Sequence, residues 1–364
     1  MAISHRVNAN LGGLALRYRL LLAGVALLVA GYCGYWFLAA AWLRQGIETW
    51  CAGERAAGAA VDYQRLQVGG FPFRLIATLE APRYAEPGTP AGFSWQADRL
   101  VGYLQPWNFR HALVALDGNH RLSFNQGGLT RRIEIAVRQG LASYQGTTGG
   151  RLERLSIAVD ELAMDDRLVS GEWRAQHAEW HLRPSPPGRP AGWDAALTLR
   201  NAQAALLAGL PLGPDLSAVE LDATLSGDLP RAPFPIAVAA WRDAGGTLEL
   251  RKLTIAWGDL KVESQGTLAL DPETRPIGAL TARIHNHERL LELAQGAGQL
   301  TPPQASAARL ALGLLASANG GVLSVPVRLQ DGFVRLGPAA LGRLSPLLPD
   351  AARNPPPGSP GPRQ

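Results

Sequence analysis

The segment FPFRLIATLE, Phe71 to Glu80, decides the fold class. Phe71, Phe73, Leu75, Ala77 and Leu79 alternate with Pro72, Arg74, Ile76, Thr78 and Glu80. Period two sends successive side chains to opposite faces of an extended chain, so the segment predicts a strand with one buried face. Pro72 has no N–H to give to a ladder, which makes the GGFPFR stretch at Gly69–Arg74 an edge strand or a bulge.

The same alternation recurs downstream. It predicts strands over Phe93–Leu100, Ala112–Leu116, Arg121–Phe124, Arg132–Val137 and Arg154–Val159. Further strands follow over Leu168–Leu182, Ala195–Leu199, Val219–Leu225, Ile236–Trp241, Thr247–Trp257, Leu260–Leu270 and Ala279–Ile284. Asp117-Gly118-Asn119, Ala244-Gly245-Gly246 and Gly258-Asp259 stand where hairpins turn. Many short strands with few helices between them predict a mainly antiparallel β architecture, not βαβ units. The proline-rich run Pro184–Pro190 is an internal break within 184–192, either a linker or a long excursion between two sheet halves. Near the end, Asn286 offers a helix cap and Thr301-Pro302-Pro303-Gln304 a capping box with prolines in the first turn. A closing hairpin is predicted over Val322–Leu329 and Phe333–Leu336.

Upstream of the strands the chain is of another kind. Leu20 to Trp42 runs twenty-three residues without a charge, bracketed by Arg19 and Arg44. At ~1.5 Å per residue that length crosses the ~30 Å hydrocarbon core of a bilayer, and it exceeds a signal-peptide core of about 7–15 residues. Arg6, Arg17 and Arg19 precede it with no acid among them, which predicts a cytoplasmic N-terminus and export of everything after Trp42. Leu43, Ile47, Trp50 and Cys51 then recur at helical spacing. The expected organisation is a cytoplasmic stretch 1–19, a transmembrane helix 20–42, a juxtamembrane helix 43–60, a β-rich periplasmic domain 61–348 and a disordered tail 349–364.

The net charge of +5 is misleading for the exported part. Outside the N-terminal arginines, 32 basic residues face 30 acidic ones, and the signs alternate along the chain instead of clustering. Nucleic acid is therefore excluded as a partner. Cys33 lies inside the apolar span and Cys51 outside it, so one chain cannot pair them, and the β-domain must hold together by burial.

Chemistry-bearing motifs are scarce. His177, Glu179 and His181 share one face if Gly171–Leu182 is a strand and form the single candidate metal cluster. The competing reading is a solvated polar face opposite Ala178, Trp180 and Leu182. Asp160-Glu161 and Asp165-Asp166 read as solvated charge, and His111 and His120 as exposed histidines flanking a turn. There is no GxSxG elbow, phosphate loop or dinucleotide fingerprint, so neither a catalytic residue nor a cofactor is expected. Ten tryptophans stand out. They read either as ordinary core or as the lining of an apolar groove that takes acyl chains, with Phe71, Phe73, Trp95, Trp173, Trp241 and Trp257 as its residues.

GGFPFR (Gly69–Arg74) soon after a single span, Trp241 with Gly245-Gly246, AWGDLKVESQGTLALD (Ala256–Asp271) and VPVRLQDGFVRLGP (Val325–Pro338) together resemble the proteobacterial family named domain of unknown function 2125. The resemblance runs from Leu20 to Leu348, and the family brings no established catalytic residues. More loosely, a membrane anchor followed by a sheet of this kind is similar to the AsmA-type envelope proteins. That similarity implies an elongated, curved, groove-forming antiparallel sheet and involvement in phospholipid movement. The resulting expectation is a single-pass inner-membrane protein without enzymatic activity. Its partners would be the inner membrane and either phospholipid or another envelope protein. The rival expectations are a metal-dependent envelope hydrolase and an assembly scaffold.

Overall fold

The structure, a computed structural model, describes residues 4–86, 93–126, 129–166, 171–189, 191–230, 234–296, 298, 301–336 and 339–348. The expected tail lies outside the described residues. A single helix, α1 (Ser4–Ala56), joins the apolar span to the amphipathic stretch without a break. Its Arg17–Ala56 portion contains an 18-residue window with a mean hydropathy of 1.9 and is long and apolar enough to cross a bilayer.

All the described strands belong to one open antiparallel sheet that accounts for 53% of the chain. It starts as a fork. The first strands are β1 (Ala60–Asp62), β2 (Arg65–Gly69), β3 (Leu75–Glu80), β4 (Arg83–Ala85) and β5 (Ser94–Ala97). Then come β6 (Arg99–Gln105), β7 (Asn108–Ala115), β8 (Gly118–Gln126) and the long β9 (Leu129–Gly146). One prong runs β1-β4-β5-β8 and the other β2-β3-β6-β7. Both join β9, β8 along its first half and β7 along its second.

From β9 the sheet is a meander. It passes through β10 (Leu152–Asp166), β11 (Gly171–Pro184), β12 (Gly192–Ala204), β13 (Asp215–Ser226), β14 (Thr247–Trp257), β15 (Leu260–Leu270) and β16 (Pro276–His285). β17 (Leu323–Gln330), β18 (Phe333–Leu336) and β19 (Ala339–Arg343) close it. The proline-rich run after Pro184 is the loop of a hairpin: β11 pairs directly with β12, and the sheet continues through it.

A crease crosses the strands. In β9 to β13 the apolar alternation slips by one residue at Arg138-Gln139, Asp160-Glu161, Gln176-His177, Arg200-Asn201 and Ser217-Ala218, which lie level with one another across the sheet. Glu161 and Asn201 take left-handed φ values of 50° and 47°, a conformation that breaks the pleat. Polar side chains bridge along the line: Arg138 Nη2 lies 2.5 Å from Glu161 Oε1, and Asn201 Nδ2 donates to Gln176 Oε1 at 2.5 Å. Because each slip inserts one extra residue, the apolar side chains stay on one face on both sides of the crease. Gly140 shows this directly. A Cβ there would meet Val137, Leu116 and Val159 side chains at 2.8, 3.0 and 3.6 Å.

Three expectations are corrected. Phe71 and Phe73 are not in a strand. The chain turns at Phe71–Phe73 after Gly70 (φ 98°), and β3 begins at Leu75, since Pro72 cannot join a ladder. Ile236–Trp241 belongs to a helix, α2 (Phe234–Asp243). A continuous apolar run carries no period-two signal, and Trp241 seals it over Gly227 and Gly246, whose missing side chains leave room for the indole. Asn286 does not cap helix α3 (Glu288–Gly296). It sits at φ 54° and its amide donates to the Asp259 carbonyl. The Thr301 capping box does open α4 (Pro302–Ser317).

Candidate functional site

The register of the sheet assembles an apolar face that no local stretch of sequence displays. One row of directly opposed residues runs Leu75, Leu104, Ala112, Tyr144, Leu155, Leu182, Ala195, Ala223, Leu250. The next row runs Ala77, Gly102, Val114, Ala142, Ile157, Trp180, Leu197, Leu221, Leu253. Residues one step along each strand point the other way and are mostly polar: Ser156, His181 and Asp222 in one row, Glu179, Thr198, Glu220 and Thr254 in another.

Both ends of the apolar face are covered. At the fork, Trp36, Ala39 and Leu43 of α1 pack on Leu75, Val68 and Leu104, and Ile47 and Cys51 pack on Val61, Tyr63 and Tyr84. At the far end, α3 and α4 lay Leu290, Leu293, Leu312 and Ala316 over Val262, Ile284, Leu323 and Val325. Between them the face lies open. Tyr144 is 37% and Trp180 40% exposed, and Ile157, Leu197, Leu221 and Leu253 are only half-buried. Beyond the crease the single turn at Ala205–Leu207 covers part of it, with Leu207 packed among Ala175, Ala202, Leu216 and Trp257. The row through Ile157, Trp180, Leu197, Leu221 and Leu253 stays accessible from β7 to β14, about 29 Å at ~4.8 Å per strand. Ala223 and Leu250, at the end of the other row, are buried.

The six aromatic residues that stand out in the sequence do not form one lining. Phe71 packs edge-on to Trp36 and stacked on Phe37 of α1, and Phe73 projects from the turn. Trp95 stacks on His120, and Trp173 lies two residues from Ala175 on the apolar side beyond the crease. Trp257 donates to the Gly213 carbonyl inside the cluster under Leu207. Trp241 is core: it is buried and donates to the Ser226 carbonyl. The residues that do line the open face, Tyr144, Ile157, Trp180, Leu197, Leu221 and Leu253, come from six different strands. Their signal in the sequence is the alternation itself, once the slip at each crease position is allowed for.

The polar cluster lies on the opposite face, as the alternation requires. Glu179 Oε1 lies 3.1 Å from His177 Nε2 and its Oε2 3.6 Å from His181 Nε2. His177 Nδ1 lies 2.6 Å from Asp160 Oδ1, and His181 Nδ1 3.0 Å from Ser156 Oγ. Hydrogen bonds to Asp160 and then to Glu179 push the His177 imidazole above its ordinary value, against the smaller effect of burial. Among the described residues no three His, Cys, Asp or Glu side chains are set to hold a metal ion. Ser156, His181 and Glu179 repeat the order of a hydrolytic triad, but β10 is paired on both sides there, so its N–H groups are spent in the ladder and do not form an oxyanion hole.

Two further expectations fail at this level. His120 is buried, its ring stacked against Trp95 and its Nε2 2.8 Å from the Leu116 carbonyl. Asp166 is buried too and ion-paired with Arg131.

No curated protein and no solved structure matches the chain. The sequence does match the family described as an uncharacterized protein conserved in bacteria (DUF2125) over residues 36–345. That span begins at Trp36, the buried tryptophan of α1, and takes in the fork, the open face and the capping helices, so the chain belongs to the DUF2125 family.

Proposed function

We propose that this is a non-catalytic, bilayer-anchored lipid-binding protein of the bacterial envelope, whose open sheet face takes acyl chains. The observation that carries the reading is the apolar face itself, covered at one end by α1 and at the other by α3 and α4, and open over about 29 Å at ~4.8 Å per strand. One leaflet of a bilayer is about 15 Å of hydrocarbon, half of the ~30 Å core, so the open face is long enough to take the chains of a phospholipid lengthwise. An apolar surface this long is costly in water, and burying it returns ~25 cal/mol per Å². The arginines at 6, 17 and 19 favour a cytoplasmic N-terminus, which puts the β-domain on the periplasmic side of the inner membrane. The looser AsmA-type similarity supports the same reading as an analogy of fold.

Native mass spectrometry of the detergent-extracted full chain tests it. The expected result is a population carrying phospholipid that survives exchange into a detergent without acyl lipids. A chain that is uniformly free of lipid, and binds none when phospholipid is added, refutes the lipid reading and leaves an assembly scaffold.

A further inference from the structure

Two loops at the fork carry exposed aromatic side chains beside the apolar part of α1. The turn at Phe71–Phe73 presents Phe71 and Phe73, the latter 71% exposed. The turn between β6 and β7 presents Trp107, 60% exposed, with the exposed Phe109 beside it at the start of β7. Both are fastened to α1 by aromatic donors. Tyr32 Oη donates to the Pro72 carbonyl at 2.6 Å, Tyr35 Oη to the Pro106 carbonyl at 2.6 Å, and Trp36 Nε1 to the Arg74 carbonyl at 3.0 Å.

These contacts fix a depth. Tyr32 lies twelve residues past Leu20, about 18 Å along the helix at ~1.5 Å per residue, where the hydrocarbon core is about 30 Å thick. We propose that both loops are embedded in the outer leaflet of the bilayer that α1 crosses, so that the open sheet face starts within lipid. The proposal rests on the reading of α1 as a span. The loops meet part of the requirement that such a site imposes. Irregular backbone within a bilayer must have its polar groups satisfied by protein. Pro72 and Pro106 have no N–H, their carbonyls and that of Arg74 accept from the helix, and the Arg74 N–H donates to the Gly70 carbonyl at 3.1 Å. Arg74 and Arg110, at the loop bases and exposed, have the length to reach the phosphate layer while their stems stay in apolar surroundings.

Spin labels test the depth in the full chain. Phe73→Cys and Trp107→Cys are each made in a background with Cys33→Ala and Cys51→Ala and reconstituted into vesicles of phosphatidylethanolamine and phosphatidylglycerol. Gln265→Cys on the exposed part of β15 serves as the aqueous reference. Collision with oxygen and with a water-soluble nickel chelate then gives the position of each label. The anchors of the loops on α1 lie about 6–12 Å inside the outer edge of a ~30 Å core. The loop labels are therefore expected more than ~10 Å below the phosphates, oxygen-accessible and shielded from nickel. Loop labels as nickel-accessible as the one at residue 265 overturn the proposal. If that happens while phospholipid still co-purifies, the lipid reading stands without the loops. Embedded loops on a chain that binds no lipid uphold the proposal and sink the lipid reading. Both labels replace rings that project from the surface, so the fold is not at risk, and circular dichroism of each variant verifies this.

Discussion

Trp180→Asp is expected to abolish the lipid binding proposed for the open face and to leave the fold standing. The indole sits in the middle of the open face, opposed by Ile157 on one side and Leu197 on the other. Because it is 40% exposed, replacing it leaves no closed cavity, and the stability change stays well below that of a core truncation. For a bound acyl chain the consequence is severe. Losing about 60 Å² of apolar contact costs ~1.5 kcal/mol at ~25 cal/mol per Å², and a carboxylate pressed against a methylene chain adds a desolvation cost of about 1–3 kcal/mol or more. Occupancy measured by lipid mass spectrometry should fall at least tenfold, with the thermal midpoint little changed. His181→Asp, one residue along the same strand and on the other face, should leave lipid content as it was. Equal loss from both variants, or from neither, removes the apolar face from the account.

Asp194→Ala should produce the largest loss of stability outside the apolar core. The carboxylate is buried where β12 meets β13. It accepts from Thr224 Oγ1 at 2.9 Å, Arg251 Nη1 at 3.2 Å, Arg183 Nη2 at 3.3 Å and Ser185 Oγ at 3.4 Å. Removing one partner of a buried pair costs about 3–5 kcal/mol. The lower end applies here, because Arg251 keeps Asp222 and is partly exposed. A loss of about 3 kcal/mol lowers the thermal midpoint by roughly 6–12 °C in a domain of this size. The pH dependence has a definite sign. Burial alone would raise the carboxyl, but the hydrogen bonds from Thr224 and Arg251 outweigh it and hold Asp194 below the usual carboxylate range. A group depressed in the folded state contributes stability that is complete above its unfolded value of about 3.9 and is lost as the pH falls through the folded value. The wild-type midpoint should therefore drop more steeply below about pH 4 than that of Asp194→Ala, whose curve lacks this contribution. Asp271, held low by Arg275 against its own burial, steepens both curves equally.

What the sequence makes legible is whatever a single strand states about itself. Thr247–Trp257 and Leu260–Leu270 are strands over those bounds, because the alternation runs unbroken through Leu260–Leu270, resumes after a single bulge at Arg251-Lys252 in Thr247–Trp257, and Gly258-Asp259 turns between them. Gly192–Ala204 and Leu129–Gly146 show only about a third of their length in the sequence pattern, since the slips at Arg200-Asn201 and Arg138-Gln139 end the period that marks a strand. The fork is out of reach for a different reason. Which half of β9 takes β7 and which takes β8 is a long-range pairing, and nothing local encodes it. The candidate site suffers most. Conspicuous aromatic residues suggest themselves as its lining, yet Trp241 packs on two glycines and Phe71 on α1, whereas the open face is built of ordinary alternating aliphatics plus Tyr144 and Trp180. A surface that spans many strands exists only once the register is known.

Acyl chains should occupy one face of the sheet and not the other, and site-specific photocrosslinking in native membranes measures this directly. A benzophenone side chain is placed at Leu197 and Leu221 on the apolar face, and at their strand neighbours Thr198 and Glu220 on the polar face. Phospholipid adducts at Leu197 and Leu221, with none at Thr198 and Glu220, are the predicted result. Adducts on both faces alike, or protein adducts alone at Leu197 and Leu221, would contradict the account.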